Sequence, residues 1–370
     1  MSINNKIISF FKSNIVLIIA LLCAIISSCI VGVDKSYFHY IDYRTITCLF
    51  CMLACICALR NIYFFRFTAR KIVEKFSNTR STILALVFIT FFGSMLIAND
   101  MALITFLPLG YMVLSNTKKE KYLMFTFIMQ NIAANLGGML TPFGNPQNLY
   151  LYSYFNIGNG EFMLTMLIPF IVSMALIFII CLFVKKETLQ FENDLDIKMD
   201  KKKLITYLLL FAFSIVIVFR VIPFWWGLII IPTVIALLDF RALKQVDYPL
   251  LLTFVCFFIF AGNVARIESV DNFIQANLNK NVLLYGIVSC QFISNVPSAI
   301  LLSRFTTDYR SLLLAVNIGG LGTIISSLAS LITFREYTRH FPNKKLRYLF
   351  WFSFVNFSFV GILYLTSLIH

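Results

Sequence analysis

Apolar residues fill this chain in runs of about 20, the length that crosses a bilayer as a helix. Lys and Arg cluster at the loops between some runs, while other loops, such as 156–161, hold none. Seven runs are uninterrupted: 14–33, 44–59, 162–184, 204–221, 224–238, 249–262 and 348–368. Two stretches, 60–80 and 263–280, mix charges with aromatic or aliphatic residues. They predict amphipathic connectors, the first of them lying on a membrane surface. The run 81–115 is broken once, at Asn99-Asp100, and has basic residues at both ends: Arg80 before it, Lys118, Lys119 and Lys121 after it. Both ends then lie on one side. Two full spans or a re-entrant helical hairpin satisfy this, and the polar turn favours the hairpin. The run 281–303 is broken at Ser294-Asn295-Val296-Pro297 and reads as a second hairpin.

Two further segments read as broken helices. In 122–155 the stretch 131–154 holds Gly137, Gly138, Pro142, Gly144 and Pro146 among Thr141, Asn145, Gln147 and Asn148. Prolines remove backbone donors and glycines relax the chain, so the helix breaks there. Broken backbone at membrane depth is tolerated where protein buries it or a wet cavity meets it. Gly137-Gly138 aligns without gaps on Gly319-Gly320, and Thr141 on Thr323. An asparagine opens each stretch, Asn131-Ile132 and Asn317-Ile318, at different offsets. Paired interrupted helices in two halves of a membrane protein point to a transport site, although small residues also serve close helix packing.

Composition sharpens this picture. The chain has 370 residues, 59% hydrophobic and 13% charged, which predicts an integral membrane protein. The formal charge of +14 sits in loop clusters and not in a nucleic-acid-binding stripe, so no nucleic acid is expected. Of 31 Lys and Arg, 24 fall on the side predicted cytoplasmic and 7 on the other, a strong positive-inside bias. It places the N-terminus in the cytoplasm and the C-terminus outside, in a multi-pass protein of the inner (plasma) membrane. Lys6 and Lys12 precede the first run, which continues past Ser27-Ser28-Cys29 and reads as an uncleaved helix. The nine cysteines lie inside apolar segments without acids or histidines, which favours apolar filling over metal binding. His39, His340 and His370 sit at loops or the terminus, and no Walker loop, zinc motif or nucleophile elbow occurs, so no enzyme and no cofactor are expected.

The order span, span, connector, hairpin, broken helix, span occurs twice. It predicts an all-α polytopic membrane protein of two inverted repeats: about nine spanning helices, two re-entrant helical hairpins and two broken helices. The first repeat is 1–184, with its hairpin at about 81–116 and broken helix at about 122–155. A cytoplasmic hinge and linking helix occupy 185–221. The second repeat is 222–370, with its hairpin at about 281–304 and broken helix at about 309–332.

Ala98-Asn99-Asp100-Met101-Ala102-Leu103, Thr141 to Asn148, Ser294 to Ala299 and Gly319 to Ser330 resemble the ion-transporter superfamily of arsenite permeases, citrate-type and divalent-anion/Na+ symporters and one class of Na+/H+ antiporter. The resemblance covers most of the chain as architecture, through short motifs, and looks nearest to small bacterial members beside the arsenite and citrate permeases. The dicarboxylate branch carries Ser-Asn-Thr at its hairpin tips, where this chain has Asn99-Asp100 and Ser294-Asn295-Val296. The resemblance implies secondary transport and a homodimer in lipid.

Asp100 is the acid set mid-way in an apolar run, and an intramembrane acid is a functional group by default. It would couple H+ or Na+; a cap at the hairpin turn is compatible with that role. No Lys or Arg is embedded in the runs, so an anionic solute, inorganic oxyanion or carboxylate, would be held by helix N-termini and polar side chains. The candidates are Asn99, Thr141, Asn145, Gln147 and Asn148 in the first half, and Ser294, Asn295, Ser298, Thr323, Ser326, Ser327 and Ser330 in the second. Carbonyls near Gly138 and Gly320 would ligate Na+. A Na+/H+ antiporter on the same fold, or a passive channel, uses the same breaks differently.

Overall fold

The computed structural model describes residues 14–189 and 200–368. Lys6, Lys12 and most of the expected hinge lie outside them. The described residues form helices joined by short turns, with one isolated bridge between Asn78 and Thr188. The first half comprises α1 (Ile15–Val31), α2 (Tyr43–Asn61), α3 (Phe64–Val73), α4 (Thr79–Ile97), α5 (Asn99–Asn116), α6 (Leu123–Gly137), α7 (Pro146–Tyr154) and α8 (Asn159–Leu182). Helix α9 (Lys201–Val218) links to the second half. There follow α10 (Phe224–Lys244), α11 (Tyr248–Val264), α12 (Glu268–Leu278), α13 (Val282–Ile293), α14 (Asn295–Leu302), α15 (Tyr309–Ile318), α16 (Leu328–His340) and α17 (Lys345–Ser367).

Six of the described helices are long and apolar enough to cross a membrane. The rest of the expected spans are shorter, as in α1 and α11 with 17 residues each, or begin on charge, as α9 does with three lysines. The broken helices contribute half-spans. The fold is that of an all-α polytopic membrane protein.

The two halves pack reciprocally. Helix α1 lies on α11, and α10 lies on α2. Hairpin arm α4 packs on α6, as α13 packs on α15. Each half-helix beyond a break docks on the other half's hairpin: α16 on α5, and α7 on α14. The hairpins enter from opposite ends. The start of the first, Thr79, and its foot, Lys119, both bond to Glu187. The feet of the second, Asn281 and Ser303, border one depression beside Tyr154 and Phe155. Charged contacts sort to the same two ends. Arg266 pairs with Asp34 and Arg310 with Glu161 at the sparsely basic end, while Lys119 and Lys121 pair with Glu187 at the basic end.

The hairpins differ in length. Arms α4 and α5 have 19 and 18 residues, long enough to approach a full crossing, whereas α13 and α14 have 12 and 8. Both tips adopt one uncommon backbone form: Ala98 at φ 63°, ψ 151° and Ser294 at φ 74°, ψ 158°. Non-glycine residues rarely sit there, and such strain gathers at functional turns.

At the basic end, Glu187 accepts from Lys119 Nζ, Lys121 Nζ and Tyr122 Oη at 2.6 to 2.7 Å. These bonds hold its carboxyl at about 2, well below the ordinary 4.5. The clamp therefore contributes stability above pH 4.5 and loses it as pH falls toward 2. Glu187→Gln is expected to lower the melting temperature in detergent at about pH 7, and the gap to wild type should narrow by about pH 3. An equal gap at both values would show that the carboxylate is not what holds the clamp.

Candidate functional site

Helix α6 cannot continue past Gly137. A side-chain carbon at Gly137 would lie 2.0 Å from the Phe91 carbonyl oxygen, so only glycine lets the backbone approach α4 this closely. One 3-10 turn follows (Gly138–Leu140), then irregular chain to Pro146, which starts α7 at the position where its missing donor costs nothing. The second break runs from Gly319 to Ser327, where Ser327 caps α16 by accepting from the Ser330 amide.

Between the breaks lies a chain of buried amides. Asn99 Nδ2 donates to Asn135 Oδ1 at 3.3 Å. Asn145 Nδ2 donates to the Asn135 carbonyl at 3.1 Å and to Asn317 Oδ1 at 3.2 Å. Asn317 Nδ2 donates to Asn148 Oδ1 at 2.7 Å. The Asn148 amide in turn bonds carbonyls of Gly138, Met139 and Thr141, closing the first break on itself. Asn295 joins this cluster: a side-chain carbon at Gly320 would stand 2.9 Å from its Nδ2 and 3.5 Å from Asn135 Oδ1. Its backbone amide donates to the Ser326 carbonyl, so the second hairpin tip rests on the second break. Asn99 and Asn295 make the same turn, each side chain accepting from the next residue's amide at 2.9 Å.

Four of the candidate residues are thus gathered at the centre: Asn99, Asn145, Asn148 and Asn295. Others commit their hydroxyls to local scaffolding. Thr141 donates to the Met95 carbonyl and ties the break to hairpin arm α4. Ser298 bonds Ser289 across the second hairpin. Thr323 is pinned to Gln291, Ser326 closes the turn onto Gly320 and Thr323, and Ser330 pairs with Ser327. Ser294 bonds the Ser326 carbonyl. The carbonyls of Gly138 and Gly320 each accept one side-chain donor.

Asn135 and Asn317 join the two halves, and neither is among the candidates read from the sequence. Each stands two residues before its Gly-Gly pair, so the gapless register already equates them. Asn131, matched above to Asn317, instead sits one turn lower, where Thr333 donates to it and it donates to Asn356.

Among the described residues, no Lys or Arg enters this centre. Helices α5, α7 and α16 begin at a common narrow cavity with room for about 40 Å³, bordered by Asp100, Pro146 and Leu328. Helix α14 begins at Asn295, bonded beside α16. Three N-termini therefore meet at this cavity, with the start of α14 bonded beside the third, a setting that favours an anion. Buried acceptors are left over as well. Asp100 Oδ1, Asn145 Oδ1 and Gln147 Oε1 have no donor among the described residues. The nitrogen of Asn145 is committed to two acceptors, so its orphan oxygen is fixed as an oxygen. Orphan buried acceptors of this kind call for a donor or a cation from outside the protein.

Comparison with known proteins agrees with this geometry. Residues 3–308 match the profile of the family described as citrate transporter, CitMHS. An uncharacterized transporter of Methanocaldococcus jannaschii is 36% identical over 299 residues, 80% of this chain and 82% of the relative. Inner membrane protein YbiR of Escherichia coli is 29% identical over 309 residues, 81% of this chain and 82% of the relative. With polar breaks facing each other across two packed halves and the profile matching through both hairpins, the chain belongs to the citrate transporter family CitMHS and is a multi-pass membrane transporter.

Proposed function

We propose that this protein is a secondary active transporter that moves a small carboxylate of the citrate type, coupled to H+ or Na+, by alternating access. The observation that carries this reading is the meeting of three helix N-termini at one cavity, without a basic side chain among its described lining residues, beside an intramembrane acid. The N-termini favour the anion's carboxylates, and Asp100 with the orphan oxygens of Asn145 and Gln147 favours the cation. Anion and cation neutralise each other in a dry site, which lowers the cost of carrying either. The basic end is cytoplasmic in this reading, with the N-terminus inside and the C-terminus outside the plasma membrane.

The test is uptake of labelled citrate, against an inorganic oxyanion control, into proteoliposomes under imposed H+ or Na+ gradients. Accumulation above the outside concentration is expected with one of the two gradients. Equilibration without accumulation would mark a passive channel. A second reading, cation/proton antiport, is favoured by one feature: among the described residues, the charged groups bordering the central cavity are both carboxylates, Asp100 and Asp247. Na+-driven proton flux without organic anion would select it.

A further inference from the structure

The cavity bordered by Asp100 has a second charged end. Its wall on one side is Leu49, Met52, Leu53 and Ile56 of α2; on the other it is the tip of α5 and the starts of α7 and α16. It runs on to Asp247 and Leu250, where α11 begins at the basic end. The cavity is otherwise apolar, so the two carboxylates are its charged features. Asp100 presents a buried oxygen with no partner among the described residues. Asp247 Oδ1 accepts from the Leu250 amide at 3.0 Å, and its other oxygen takes no part in that capping bond. Outside the lining, Arg60 on α2 donates to Gln245 Oε1 and approaches Met101 Sδ at 3.9 Å, next in sequence to Asp100. Cys57, one turn earlier on α2, donates its thiol to the Gln245 carbonyl, two residues before Asp247.

We infer that Asp247 is a second acid on the coupling cation's path: it receives the proton, or passes the Na+, that Asp100 releases toward the basic end. The inference rests on the ion-coupled reading above. The titratable groups lining this path are Asp100 and Asp247. Around it, Arg60 and Cys57 of α2 bond Gln245, and Arg241 and Lys244 stand in the last turn of α10. The apolar wall between the two acids disfavours a bare ion, so a cation on this path is carried from one carboxylate to the other. The step moves a proton from one carboxylic acid to one carboxylate, with no other bond made or broken. Beyond Asp247, at the basic end, the proton passes to water.

Asp247→Asn keeps the cap, since asparagine is as good an N-cap as aspartate. The experiment compares wild type, Asp247→Asn and Asp247→Glu in proteoliposomes holding a pH-sensitive dye. Proton flux is driven in one arm by a citrate gradient and in the other by a Na+ gradient without organic anion, over roughly pH 5.5 to 8.5, the range where a relay acid acts. In Asp247→Asn we expect proton flux to fall on the order of 10- to 100-fold with its pH profile altered, citrate binding and melting temperature unchanged, and recovery in Asp247→Glu. Wild-type flux and profile in Asp247→Asn would overturn the inference, as would an Asp247→Glu variant no better than Asp247→Asn. Wild-type flux with Na+ alone would overturn the citrate reading and leave the Asp247 comparison readable. No proton flux in either arm would overturn the H+-coupled form of the reading and with it the proton relay at Asp247.

Discussion

Asp100→Asn is expected to abolish gradient-driven uptake while the protein still folds. The substitution keeps the shape of the side chain at the first residue pair of α5. The local turn depends on the Asn99 side chain accepting from the residue 100 amide, and that bond survives. What disappears is the charge at the hairpin tip. A lone carboxylate in a membrane interior costs about 2.5–3.5 kcal/mol on insertion scales, so removing it should leave stability unchanged or raised. A group retained at such a cost, with a buried oxygen that no described donor satisfies, is explained by a cation that comes and goes. In proteoliposomes, accumulation of citrate should drop to the level of protein-free vesicles, while a melting curve in detergent stays at or above wild type. Undiminished accumulation in Asp100→Asn would remove this residue from coupling. Loss of accumulation together with loss of folded protein would show that its role is structural.

The fold is legible in the sequence where solvent chemistry dictates it. Lipid demands uninterrupted apolar helices, so spans, connectors and both hairpin turns can be placed to within a few residues. The turn at Ala98 lies one residue before the expected Asn99-Asp100, because the strained residue precedes the pair that opens the next helix. The site is harder to read. A polar residue beside a helix break has two uses, to hold the break together or to face a solute, and composition does not separate them. Thr141, Ser298, Thr323, Ser326 and Ser330 read as candidates for the solute, yet their hydroxyls bond within the scaffold. Asn135 looks from the sequence like an ordinary helix residue, and Asn317 pairs by sequence pattern with Asn131, since the contact that matters joins halves separated by 182 positions. Only the meeting of Asn145 with Asn317 and of Asn317 with Asn148 shows that one break supports the other.

The same mutual support sets the second large effect, at Gly144. A side-chain carbon there would lie 2.2 Å from the Gly138 carbonyl oxygen and 2.8 Å from two further Gly138 backbone atoms. The reverse holds too: a carbon at Gly138 would meet the Gly144 carbonyl at 2.7 Å and Asn145 Oδ1 at 2.4 Å. The neighbours are backbone or a committed amide, so rotamer exchange does not relieve the clash. The loop must open, which pulls Asn145 from Asn317 and Asn148 from the Gly138 carbonyl. Overpacking that a core can absorb costs about 1–3 kcal/mol, and here, with backbone facing backbone, Gly144→Ala should cost at least ~3 kcal/mol. Uptake should vanish in whatever fraction still folds. Gly361→Ala supplies the contrast: that glycine lies inside α17, exposed, with nothing within 4 Å of the added carbon. There alanine should stabilise by about 0.5–1 kcal/mol through lost chain entropy and leave uptake alone. Melting temperature and citrate uptake of the two variants, measured side by side, decide the point. If Gly144→Ala melts and transports like wild type, the close backbone contact is not what shapes the site, and the amide cluster must be held from elsewhere.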